Sequence, residues 1–155
     1  MQKILFRYTS RLILHPWYRI SRGKTLGVRA MVLNENNEVL LITHTYAPGW
    51  LFPGGGVDRG ETLYHAMERE LVEEASVHLT GPAVLHGMFA NEKQFRGDHV
   101  ALYVVREFRQ DEWKPNMEIA DAGYFPLDQL PEGTTGGTKR RLDEVLHGKS
   151  VSQHW

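Results

Sequence analysis

Residues 55–77 read GGVDRGETLYHAMERELVEEASV, and the spacing inside this stretch decides the fold. The segment from Thr62 to Ala75 holds no proline or glycine and places Tyr64, Met67, Leu71 and Ala75 on one stripe, which predicts an amphipathic helix. Glu70, Glu73 and Glu74 stand at i, i+3 and i+4, so their carboxylates share a second face. That face is turned about 100 degrees from the apolar stripe on a helical wheel. The helix can bury one side and aim its acids sideways into a cleft. Ala66 lies on the acidic face one turn earlier, where a small side chain leaves room.

Three carboxylates at this spacing repel one another, by a few tenths of a kcal/mol per exposed pair and more when partly buried. A cation must offset them. Arg69 can offset one charge, and a divalent ion can offset two more. The donors are oxygens, which suits magnesium, manganese or calcium rather than zinc. Immediately before the helix, Pro53-Gly54-Gly55-Gly56 ends any regular element and allows close approach of backbone to a ligand. Such a loop can turn carbonyls towards a metal or amides towards phosphate oxygens.

Working outward, Leu26, Val28, Ala30 and Val32 alternate as in a strand with one buried face. Asn34–Asn37 is a polar turn, and Val39–Thr43 reads as the returning strand of a hairpin. After the helix, strands are expected at 83–90, 99–108 and 123–126, and a last helix at 137–146. The final residues read as a loose tail. Lys3, Arg7 and Arg11 recur every four residues beside Ile4, Leu5, Tyr8 and Leu12, which predicts a basic helix over 3–14 that docks through its apolar face. Residues 1–24 carry six cations, Lys3, Arg7, Arg11, Arg19, Arg22 and Lys24, and no acid, which leaves the remainder at −7 against a total of −1.

At 155 residues the chain fits one domain. It has no cysteine, which excludes disulfides, thiolate metal sites and cysteine nucleophiles and fits a reducing, cytoplasmic setting. No apolar run approaches the ~18 residues of a membrane span.

The full pattern is Gly55, five residues, Glu61, seven residues, Arg69-Glu70-Leu71, one residue, Glu73-Glu74, two residues, Val77. It resembles the Nudix box, and chance would produce it on the order of once per million chains of this length. One position departs: Ser76 stands where the box usually has glycine. Serine there costs up to ~1 kcal/mol if its φ is positive. The resemblance implies an α/β/α sandwich, a mixed β-sheet between helices, over a domain at 25–150 that follows the basic segment 1–24. It implies metal-dependent hydrolysis of a diphosphate linkage in a nucleoside di- or triphosphate derivative, by water attack at phosphorus, with Mg2+ or Mn2+.

Carried over position by position, Glu73 and Glu74 are the leading metal ligands and Glu70 follows, with a second option as base. Arg69 braces a box glutamate, Glu61 supports the metal or the loop, and Gly54 or Gly55 offers a carbonyl. Outside the box, Glu118 is a candidate base or further ligand, with Asp121, Glu92 and Asp98 behind it; each reads equally as a surface acid. Trp50 and Arg96 are candidate substrate contacts, stacking on a base and gripping a phosphate; Lys93, Tyr46, Phe95 and Trp113 are weaker ones. Arg140 and Arg141 are expected to face water. The eight histidines show no ligand spacing. A small-molecule substrate is expected, without a stable nucleic-acid complex, and a homodimer is compatible. The competing class is a catalytically silent nucleotide-binding module, against which the four intact glutamates argue. The absence of a Gly-Lys-Ser/Thr after the glycines argues against a P-loop enzyme.

Overall fold

The computed structural model describes residues 23–155. The basic helix expected over 3–14 lies outside the described residues. The elements run β1 (Thr25–Val32), β2 (Val39–His44), α1 (Leu63–Ala75), β3 (Val77–Leu79), β4 (Val84–Ala90), β5 (Asp98–Val105), β6 (Phe108–Gln110), β7 (Ile119–Phe125) and α2 (Gly136–His147). The central sheet has the order β1-β5-β4, with β1 parallel and β4 antiparallel to β5. Strand β2 pairs antiparallel with β7, and β3 with β6.

Alternation in β1 and β5 builds the two layers. Val28, Ala30, Val32, Ala101, Tyr103 and Val105 join Met67, Leu71 and Ala75 of α1 in one core cluster. Met31, Leu33 and Leu102 join Phe52, Phe89 and Leu142 of α2 in another. The expectation of one buried face on β1 is therefore corrected: both faces are buried, because each strand side has its own helix. The result is the α/β/α arrangement with a mixed sheet.

The hairpin expectation is also corrected. The turn forms, with Asn34 Oδ1 accepting from the Asn36 and Glu38 amides and Asn37 at φ 57°. Strand β2 nevertheless ladders with β7, and the turn is closed only by an isolated bridge between Leu33, just past β1, and Val39. The edge of β1 that β2 would need is taken by the glycine loop: Val28 and Ala30 donate to the carbonyls of Gly55 and Pro53, and Val57 donates to Leu26. Leu51 exchanges both backbone hydrogen bonds with Ile42 of β2. The loop before α1 is thus laid along two strands rather than left free.

Helix α1 is capped at its start by Thr62, whose hydroxyl accepts from the His65 amide. At its end Ser76 adopts the left-handed conformation at φ 53°, with its amide on the carbonyls of Leu71 and Val72. This is the site where the box usually has glycine. Ser76→Gly should raise stability by up to ~1 kcal/mol, read as a higher Tm with unchanged kcat.

Two further expectations fail for one reason. Residues 152–155 are not loose: Gln153 O accepts from the Ala90 amide, and the Trp155 amide donates to Ala90 O, so the segment adds to the free edge of β4. Arg141 does not face water: it is fully buried, bonded to Glu144 and to His154 O, with its guanidinium 4.0 Å over the Phe89 ring. The segment covers the helix face that would otherwise be wet. Burial pushes the Glu144 carboxyl up, but the Ser152 amide, His86 and Arg141 outweigh it and hold it below its ordinary value.

Candidate active site

The four glutamates gather around Arg69 and the glycine loop. Arg69 binds Glu61 through Nε and Nη2, Glu70 through Nη1 at 2.8 Å, Glu73 at 3.3 Å, and the Gly56 carbonyl. The bonds from Glu61 and then Glu70 push its pKa further up, and Arg69 in turn holds the Glu61 carboxyl below its ordinary value. Glu74 points the other way. Its Oε2 accepts from the Gly54 amide at 2.6 Å and its Oε1 lies 3.2 Å from His44 Nε2.

Close approach explains two glycines. A Cβ on Gly54, which sits at φ 139°, would lie 2.1 Å from the Val28 carbonyl oxygen of β1. A Cβ on Gly55 would meet the Glu70 carboxylate at 2.5 Å. Gly55→Ala should therefore lower activity by displacing a flexible carboxylate while changing Tm little, checked by kinetics and thermal denaturation of one preparation.

The donor chemistry fits a hard divalent cation. Burial raises the carboxyl pKa of Glu70, against the pull of Arg69, and raises that of Glu74 to about 7, against the Gly54 amide and Arg29. Two desolvated carboxylates thus carry less compensating positive charge than they need. Among the described residues no three acid or histidine side chains form a ready-made cage, since Arg69, His44 and the Gly54 amide hold the carboxylates apart. Beside the glutamates opens a cleft of about 660 Å³ whose lining includes Gly55, Gly56, Arg29 and His44.

The profile of the NUDIX domain matches residues 23–145. The chain belongs to the Nudix hydrolase family. It is 44% identical over 127 residues to a Bacillus subtilis (strain 168) protein provisionally named an 8-oxo-dGTP diphosphatase, covering 80% of this chain and 81% of that one. It is 36% identical over 132 residues to human 8-oxo-dGDP phosphatase NUDT18, covering 83% of this chain but only 39% of the human protein. Among solved structures it resembles a MutT Nudix hydrolase from Burkholderia pseudomallei, with a TM-score of 0.69, 26% identity and coverage of 79% and 98% of the two chains. An ADP-ribose pyrophosphatase from Streptococcus suis gives 0.65, 26%, 86% and 96%.

Beyond the Nudix box, the structure separates the other candidates. Glu118 lies near the site: its charge is felt by His44, Tyr46 and Glu74, and its carbonyl accepts from Thr45. Tyr46 and Lys93 line the cleft, as does Asp98, which also binds Thr25 and Asn91. Trp50 does not line it. The ring is partly buried edge-on against Phe125, 4.9 Å between centroids, so Trp50 is a packing residue. Arg96 is exposed and not among the lining residues, although its neighbour Gln94 is. Trp113 donates to the Glu74 carbonyl at 2.7 Å and so ties down the end of α1. Gly55 already offers its carbonyl to Val28, and Gly54 presents its amide to Glu74.

Two residues escaped the sequence reading. Arg29, on β1, donates to the Phe52 carbonyl at 2.9 Å and lies within the field of Glu74 and Glu70; burial lowers its pKa, which those acids oppose. A lone cation inside an apolar strand was the available signal. His44, at the end of β2, has its pKa lowered by burial and then by Arg29, with Glu118 opposing. No local pattern marks it, since its partner Glu74 is 30 residues away.

Proposed function

We propose that this protein hydrolyses the diphosphate linkage of a nucleoside di- or triphosphate derivative with a divalent cation, magnesium or manganese, held by Glu70, Glu73 and Glu74. The observation that carries this reading is the cluster of four glutamates beside a cleft edged by Gly55, Arg29 and His44. When bound, the ion supplies charge neutralisation at the phosphate oxygens and favours deprotonation of the attacking water.

The chain's own residues do the rest. Arg69 holds Glu61, Glu70 and Glu73 around one guanidinium, from which Glu70 and Glu73 turn onto the ion when it binds. His44 and the Gly54 amide orient Glu74. Arg29 presents a fixed positive charge to the phosphates at the cleft wall. Glu118, whose field reaches Glu74 and His44, is the acceptor for the proton of water.

Similarity to proteins named for 8-oxo-dGTP and 8-oxo-dGDP supports oxidised guanine nucleotides as the first substrates to try, with ADP-ribose next. The test is phosphate and pyrophosphate release from these compounds and their unoxidised counterparts, with and without magnesium or manganese, beside a Glu73→Gln control. Metal-dependent turnover that the control lacks is expected. Nucleotide binding without turnover would instead make the protein a silent binding module.

A further inference from the structure

The C-terminal segment contributes a wall of the cleft. Arg140, Gly136, Gly137 and Trp155 all line it, together with Lys93 from the loop between β4 and β5. The indole of Trp155 is seated by several independent contacts. Its backbone amide is bonded to Ala90 O, and its carbonyl accepts from Arg140 Nη2 at 2.7 Å. Its ring stands edge-on to Phe89 at 5.8 Å, and the guanidinium of Arg141 lies 5.7 Å from it. A Cβ on Gly137 would lie 2.5 Å from the indole Nε1. Glycine is a poor helix former, so two glycines opening α2 are unexpected for the helix alone. At Gly137 the missing side chain is what lets the indole in.

An aromatic ring braced on one side and partly exposed in a cleft is a stacking surface for a flat ligand group. The ring sits on β4 and α2, elements separate from those that carry the glutamates. Phosphates drawn to the glycine loop and Arg29 would leave the other end of the substrate to meet this wall. We propose that Trp155 is a specificity residue of the cleft: its indole is the surface against which the base of a purine nucleotide packs. This rests on the hydrolase reading only in taking the ligand to be a nucleotide.

The experiment is equilibrium binding of GDP and ADP, with ribose 5-phosphate as a base-free probe, to the full chain in chelator, where hydrolysis does not enter. The wild type is compared with Trp155→Ala, Trp155→Phe and Gly137→Ala, with Tm measured for each. The expected result is a loss of about 5- to 150-fold in GDP and ADP affinity for Trp155→Ala, the span of a base stacked on an aromatic ring. Trp155→Phe should retain most of the affinity. Gly137→Ala, which pushes on the indole without replacing it, should lose part of it. Ribose 5-phosphate binding should be the same in all four. Equal affinity for GDP in wild type and Trp155→Ala would overturn the proposal, as would an equal loss for ribose 5-phosphate, which would mean general damage to the cleft. Turnover of a diphosphate substrate with no dependence on Trp155 would sink this inference and spare the hydrolase reading. Trp155-dependent nucleotide binding without turnover under any metal would do the reverse.

Discussion

Glu73→Gln should lower kcat on the best substrate by on the order of 10²- to 10³-fold, the scale of removing one group that acts in the transition state, and leave Tm within about 1 °C. Glu73 is the box glutamate that the fold needs least. Its side chain is 59% exposed and its one charged contact among the described residues is Arg69 at 3.3 Å. Glutamine keeps the size and can still accept from Arg69. If Glu73 were an ordinary solvated acid on α1, the substitution would leave kcat where it was. Kinetics and thermal denaturation on the same preparation separate the two accounts, and retained turnover would remove Glu73 from the metal site.

Glu74 predicts the opposite balance. Glu74→Gln should abolish metal-dependent turnover and yet stabilise the protein in chelator at pH 8 by on the order of 2 kcal/mol, or ~5 °C. Burial raises its carboxyl from the ordinary 4.5 to about 7, with the Gly54 amide and Arg29 opposing. The side chain is only 7% exposed, so water does little to screen the effect. Between those two values the folded protein keeps a proton that the unfolded chain has released. Stability is therefore fully present below about pH 4.5 and falls as pH rises through about 7. The amide carries no charge to desolvate and can still accept from Gly54. The variant's advantage should thus be large at pH 8 and small at pH 5, as read from thermal melts at both. A constant difference across that range would assign the effect to packing instead. Magnesium or manganese should recover stability in the wild type at pH 8 and not in the variant.

The contrast between these acids shows how far the sequence could be read. Both lie on the face that helical spacing assigns, and the apolar stripe through Met67, Leu71 and Ala75 faces the core as periodicity requires. Spacing could not say that Glu74 is buried on the Gly54 amide while Glu73 stays in solvent. Burial depends on what packs across from the helix. The short strands β3 and β6, of three residues each, carry too few positions for a period to register. Strand β7 begins four residues before the expected start, because Ala-Asp-Ala has little of the β-branched or aromatic character by which strands are recognised.

The sequence by itself determined the family pattern, the helix with its acids on one face, the glycines that precede it, and the alternation of strands and helices that makes an α/β fold. Each of these depends on residues a few positions apart, where chain geometry alone fixes who faces whom. Tertiary structure alone decided that the glycine loop would occupy the edge of β1 and deny it to β2. It also brought Arg29 and His44 to the glutamates, packed Trp50 partly buried against Phe125, set Trp155 at the cleft wall, and buried Arg141 beneath the C-terminal segment. Those outcomes turn on which strand edges and helix faces remain open after the other elements have packed. Backbone amides at an open edge take whatever segment can reach them, and a charged side chain is buried where the fold supplies its partners. Neither condition is written in local spacing.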